Sequence, residues 1–253
     1  MVMIGNHTRV TVSLGKFKLF RNKIPRLFPV VLVVLIGIAF YPTLFNDFQR
    51  QWDDQWMLLE HHILLNPSLE NWWFYFTHFD RGQNYPLNQL YYLGFYHFFG
   101  FDPTAYHMGS LIIHMINSIL VFYLVRLIGR QIAGNESKKA EWLAGLVALI
   151  FAIHPLQVES IAWISASKVL LYTAFTLIGL ITYVIYFRSR KIVFLVMTIL
   201  AYILSFMCKE QAIIFPLNII LLDWLFHTFG YRGLSIRVLW EKIPFFALAL
   251  FFW

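Results

Sequence analysis

Long apolar runs separated by short polar breaks set the pattern of this chain. They cover residues 27–45, 106–128, 142–154, 169–187, 192–207 and 212–226, and a last one begins at 243. The first run has 19 residues, which at about 1.5 Å each nearly crosses a hydrocarbon core of about 30 Å. It is longer than the apolar part of a signal peptide, and no small-residue cleavage site follows it. It is therefore predicted to be a retained span. The 142–154 run is short. Its helix is predicted to start inside the preceding polar stretch, with Lys138 and Lys139 reaching back to water. The pattern predicts an all-α polytopic membrane helical bundle of about seven spans, six complete and a last one cut off at Trp253.

Residues 87–101 are apolar and aromatic but few for a span, and inserting them would invert every later loop. They are predicted to form a helix lying at the outer interface, inside a long first outer loop of about 46–105. Tyr and Trp suit that position.

Charge placement fixes the expected orientation. Cytoplasmic loops are enriched in Lys and Arg. With the N-terminus inside, sixteen of the 20 basic residues fall on the inner side, six of them within the basic N-terminal segment 1–26. Nine of the 13 acids fall outside. The net charge of +7 is thereby mostly a topology signal, and no nucleic-acid partner is needed. Composition agrees. The chain is 59% hydrophobic and 13% charged, against about 25% charged in soluble domains. That argues against a soluble globular domain and a disordered chain. The single cysteine, Cys208, excludes an intramolecular disulfide and reads as a packing residue.

The first outer loop carries Trp72 to Phe76, Tyr91-Tyr92 and Phe98-Phe99. An interfacial aromatic belt accounts for these, and so does a cleft for an amphiphilic substrate; the two are compatible. Asp53 and Asp54 stand side by side just outside a span, where a carboxylate can serve as a general base or two can hold a metal. An ordinary polar loop is the simpler reading of such a pair. Tyr85-Pro86-Leu87 marks a helix start. His154-Pro155 ends a helix at the outer face. Glu159, Ser160 and Trp163 follow at spacings that share one side of a short helix. Lys168, Lys209 and Glu210 complete the outer polar set, and such residues near hydrocarbon mark function or a mutually paired cluster. Acids and bases from three loops thus fall on one face. That suggests a site for a phosphorylated lipid, with Lys168 and Lys209 on the phosphate and a carboxylate activating a nucleophile. The inner loops show only basic residues and short turns. His61-His62, His78 and His97 lack tetrahedral ligand spacing, so no cofactor is expected and a divalent metal has no support in the sequence. The sequons at Asn6 and Asn135 fall on the inner side and should go unused.

The order Asn46-Asp47-Phe48, Trp52-Asp53-Asp54, Tyr85-Pro86-Leu87, Tyr106-His107 and His114, His154-Pro155-Leu156-Gln157-Val158-Glu159, Lys209-Glu210, Pro216 and Asp223-Trp224 resembles a known family. It is similar to the membrane domain of transmembrane and tetratricopeptide-repeat O-mannosyltransferase-like proteins and their bacterial relatives. More distantly it resembles protein O-mannosyltransferases and aminoarabinose transferases of the GT-C class. The resemblance covers residues 27–253.

It implies a GT-C bundle with its active site on the periplasmic or lumenal face. It implies a polyprenyl-phosphate sugar donor, with mannose or another hexose transferred to a hydroxyl acceptor, a protein Ser or Thr or a glycan. Asp53 matches the family's base, with Asp54 beside it. Tyr85 and Pro86 match its Pro-Leu element. His154, Glu159, Lys168, Lys209 and Glu210 fall where residues bind donor or substrate. Relatives carry Arg-Pro-Leu at Tyr85-Pro86-Leu87 and Arg-Lys-Asp at Ser167-Lys168-Val169, so an arginine and an aspartate of the second outer loop are missing. The family's C-terminal helical repeats are also absent, and the sequence reads as a fragment or truncated product. The rival class is a non-catalytic membrane protein: a lipid-linked sugar carrier, a scaffold or an inactive relative. No clear internal repeat of the transporter kind is visible.

Overall fold

The computed structural model describes residues 15–61, 68, 73–74, 76, 85–134, 137–230 and 240–252, with side chains from Leu27 onward. Among these residues it is helical without strands. In chain order the helices are α1 (Gly15–Phe40), α2 (Pro86–Phe99), α3 (Pro103–Ala133), α4 (Lys138–Ile153), α5 (Gln157–Ala162), α6 (Ser167–Ser189), α7 (Ile192–Phe206), α8 (Phe215–Thr228) and α9 (Ile243–Phe252).

Local chemistry sets several boundaries. Asp102 caps α3 by accepting from the Thr104 amide at 3.0 Å, and Ser137 caps α4 through Ala140 at 3.3 Å. Prolines open α2, α3 and α8, where no intrahelical N–H is missed. Gly100 and Gly134, with φ of 58° and 91°, close α2 and α3. The expected start of α4 inside the polar stretch is observed at Lys138. A separate helix, α2, does form in the 87–101 stretch, over Pro86–Phe99.

Four segments are long and apolar enough to cross a membrane: Leu27–Phe45, Pro103–Ala133, Ile164–Ser189 and Glu210–Thr228. The chain is accordingly a helical integral membrane protein. Three further helices expected to span are shorter: α4 has 16 residues, α7 has 15, and α9 has 10.

Helices pack through small residues, as expected where lipid gives no hydrophobic drive between them. α4 turns Ala140, Ala144, Ala148 and Ala152 inward, one per turn, all essentially buried. Gly129 of α3 faces Ala140 so closely that a Cβ there would stand 2.9 Å from the alanine methyl. Gly145 receives the Phe28 ring, and Gly179 of α6 receives Phe215. Polar contacts add to this packing. Thr176 and Ser205 pair at 2.8 Å, and Thr182 and Thr198 at 3.0 Å, both joining α6 to α7. α3 carries a buried polar seam of His107, Ser110, His114, Asn117 and Ser118, spaced to share one face. His114 Nε2 meets the Ala152 carbonyl at 2.9 Å, and Asn117 donates to the Leu170 carbonyl at 2.9 Å. Outward faces are apolar, as at Val30, Ile38, Ile112, Leu146, Ile150 and Leu221.

Contacts between loops show which helix ends lie together. One end gathers the first loop, the segment after α4 and the turn after α7, for the Leu87 amide donates to the Met207 carbonyl at 3.1 Å. The opposite end joins α3 to α4 and α6 to the segment before α9.

Candidate functional site

The two adjacent aspartates have different surroundings. Asp54 is fully buried. Its Oδ2 accepts from the Gln49 amide at 2.8 Å. Its Oδ1 accepts from the Ser165 amide at 2.8 Å and from the Ser165 hydroxyl. Asp54 is thus a pin that fastens the first loop to the turn before α6. Both of its oxygens are engaged and the residue is closed off from the surface. Asp53 is half-buried, and its Oδ1 accepts from the Trp56 indole N–H at 3.1 Å.

Lys168, in the first turn of α6, holds its ammonium 5.2 Å from the centre of the Tyr85 ring. Lys209, Asp53 and Glu210 all act electrostatically on that ammonium. The three loops therefore bring Asp53, Tyr85, Lys168, Lys209 and Glu210 together. Tyr85 and Pro86 are buried, Lys168 and Lys209 half-buried, and Glu210 exposed. Behind them Tyr92 donates to the Ile164 carbonyl at 3.1 Å and pairs with Ser167 at 2.9 Å. Burial pushes the Tyr92 hydroxyl above the ordinary tyrosine range, so it stays protonated. Ser167 also donates to Asn88 at 3.3 Å. His107 lies fully buried beneath this layer, in the field of Asp54 and Asp47.

Glu159 is not among the groups acting on the Lys168 ammonium. It lines a neighbouring groove of about 280 Å³ with Asn46, Gln49, Trp52, Val158, Ala162 and Trp163. The expected sharing of one side by Glu159 and Trp163 holds, whereas Ser160 does not line the groove. His154 is exposed, and its Nδ1 accepts from the Leu156 amide at 3.2 Å, so it shapes the turn after α4. Cys208 is buried, and burial pushes its thiol up to about 12. Of the expected aromatic cover, Trp73 and Phe76 are exposed, while Trp72 and Tyr75 lie outside the described residues. His62 and His78 also lie outside them. Among the described residues no group of three or more His, Cys, Asp or Glu is placed to hold a metal ion.

The opposite end carries more than basic residues. Asp223 Oδ2 pairs with Lys242 at 2.7 Å, and Tyr183 donates to Asp223 Oδ1 at 2.6 Å. Lys242 and Asp223 are buried there, and Lys242 also donates to the Tyr183 hydroxyl. Glu141 accepts from Arg126 at 2.7 Å and from Arg130. Lys242 and Asp223 neutralise each other, while Glu141 offsets one of its two arginines. Sequence reading missed this set because its bonded partners are up to 59 residues apart. It likewise missed Ser165 and Trp56, whose parts depend on contacts across the fold.

The chain matches no protein-family model, no curated protein and no solved structure. The GT-C resemblance accordingly rests on the order of its motifs.

Proposed function

We propose that this protein is an inverting membrane glycosyltransferase of the GT-C kind. It moves a hexose such as mannose from a polyprenyl-phosphate donor to a hydroxyl, foremost a protein Ser or Thr. The observation that carries this reading is the placement of Asp53 within the electrostatic reach of Lys168 at one end of the bundle. A base in the field of a cation is what displacement of a sugar from a phosphate needs. The acceptor hydroxyl gives its proton to Asp53 while its oxygen attacks the anomeric carbon. The bond from that carbon to the phosphate oxygen breaks, and the lipid phosphate leaves with the bonding electrons. Lys168 and Lys209 offset its charge. Trp56 orients the Asp53 carboxylate through Oδ1, which leaves Oδ2 for the proton. The basic bias of the other end supports an N-terminus in the cytoplasm and this site on the periplasmic or lumenal side.

The test uses full-length protein in liposomes with a labelled polyprenyl-phosphate hexose and a Ser/Thr peptide. Label passing to the peptide, and lost in Asp53→Asn with membrane insertion intact, is the expected result. Near-normal transfer by Asp53→Asn removes Asp53 from the base role. Label reaching both leaflets with no covalent product would support a lipid-linked sugar carrier instead.

A further inference from the structure

The groove beside the lysine cluster has a different chemistry from that cluster. Among the described residues its lining side chains carry one charge, the Glu159 carboxylate, and no cation. Trp52 and Trp163 meet at right angles with ring centroids 5.8 Å apart, forming a corner walled by aromatic rings. Asn46 and Gln49 supply amides along one side. At about 280 Å³ the groove is near the lower end of small-molecule sites, which begin at about 300 Å³. It therefore suits one small polar group.

An aromatic corner with a single carboxylate favours an organic cation, because indole faces attract ammonium groups and Glu159 supplies the counter-charge. Two further observations narrow the source. First, Asn46 directly follows the candidate span Leu27–Phe45, and Trp163 directly precedes the candidate span Ile164–Ser189. The groove is therefore at headgroup depth. Its surroundings in the chain are apolar and exposed: Tyr41, Phe45, Leu156 and Val158 stand where acyl chains would meet them. Second, those exposed apolar side chains flank the groove itself, since Val158 also lines it, which suits an ammonium carried on a lipid rather than a freely soluble one.

We infer that this groove binds the ammonium headgroup of a phospholipid, of the ethanolamine or choline type. Glu159 and the two tryptophans hold the ammonium. This site does not depend on the transferase reading and is separate from Lys168 and Lys209.

The test is competition in detergent solution. Intact protein is mixed with equal amounts of phosphatidylethanolamine and phosphatidylglycerol, and retained lipid is counted by native mass spectrometry. The expected result is a preference for phosphatidylethanolamine of about fivefold, the size of a modest cation–π and ion-pair contribution. Tetramethylammonium should compete it away. Glu159→Gln and Trp163→Leu should each erase it. Glu159 is exposed, so its substitution leaves folding intact even if Trp163→Leu does not. Equal retention of the two lipids by the wild type, or a preference that survives Glu159→Gln, overturns the inference. Displacement of the lipid by a lysine-rich peptide at lower concentration than tetramethylammonium assigns the groove to a peptide cation and overturns it as well.

Discussion

Removing the Asp54 carboxylate should open the junction between the first loop and the turn before α6 without unfolding the bundle. Three donors converge on that carboxylate: the Gln49 amide, the Ser165 amide and the Ser165 hydroxyl. A hydrogen bond to a charged acceptor contributes about 1.5–3 kcal/mol. Three at the lower end give about 4.5 kcal/mol, and because neighbours are not additive, about 3 kcal/mol is a fair net figure. At about 1.4 kcal/mol per decade, that shifts the local opening equilibrium by about a hundredfold. Hydrogen–deuterium exchange of full-length protein in detergent reads this directly. In Asp54→Ala the Ser165 amide should exchange about a hundred times faster, and the amides of α7 should be unchanged. Asp54→Asn keeps one acceptor oxygen and should accelerate exchange only about tenfold. Asp53→Asn is the control, since Asp53 accepts from the Trp56 side chain rather than from Ser165. Unaltered Ser165 protection in Asp54→Ala, or equal acceleration in Asp53→Asn, would refute the division between pin and base.

Other outcomes follow from the packing. Lys242→Met strands the buried Asp223 carboxylate and should cost about 3–5 kcal/mol; adding Asp223→Leu should recover most of the lost thermal midpoint in detergent, and failure to recover would show that the ion pair is not the cause. Gly179→Ala would set a methyl 2.8 Å from the Phe215 ring, which is fully buried and stacked on Tyr202 at 4.9 Å. It should cost about 1–3 kcal/mol as overpacking, seen as a lower thermal midpoint, and an unchanged midpoint would mean that Phe215 has room to move. Cys208 should resist maleimide at pH 7–9 in native protein, because its thiol, raised to about 12, holds almost no thiolate below that pH. Labelling should become rapid after denaturation, and fast native labelling would contradict the buried position.

The sequence made the helices legible because their causes are local. The polar stretch ending at Ser137 starts α4, and Pro86 starts α2. Gathering at one end of the loops expected outside was also legible, since alternating spans leave few choices, and Lys168, Asp53, Lys209 and Glu210 do come within electrostatic reach. The roles within that set were not legible. Nothing in Asp53-Asp54 tells which carboxylate turns inward; that is decided by Ser165, 111 residues from Asp54. Residues 106–128 read as one more apolar run, although a seam of buried histidine, asparagine and serine runs through α3. Scattered at helical spacing among isoleucine and leucine, those polar residues barely lower the average hydropathy. The runs behind α4, α7 and α9 form helices of 16, 15 and 10 residues, because an apolar run records what can lie in lipid and not how far it reaches.

The α3 seam also bears on the order in which the protein is made. The carbonyls that receive His114 and Asn117 lie 38 and 53 residues downstream, at Ala152 and Leu170. At about 5–20 residues per second, the later one leaves the ribosome about 3–10 s after Asn117. Lipid offers no substitute partner during that interval, and each unmet polar group in hydrocarbon costs several kcal/mol. A newly made α3 is therefore poorly suited to drift into the bilayer alone. It would stay beside the insertion machinery until α4 and the start of α6 arrive, so that these helices enter the membrane as one assembled group.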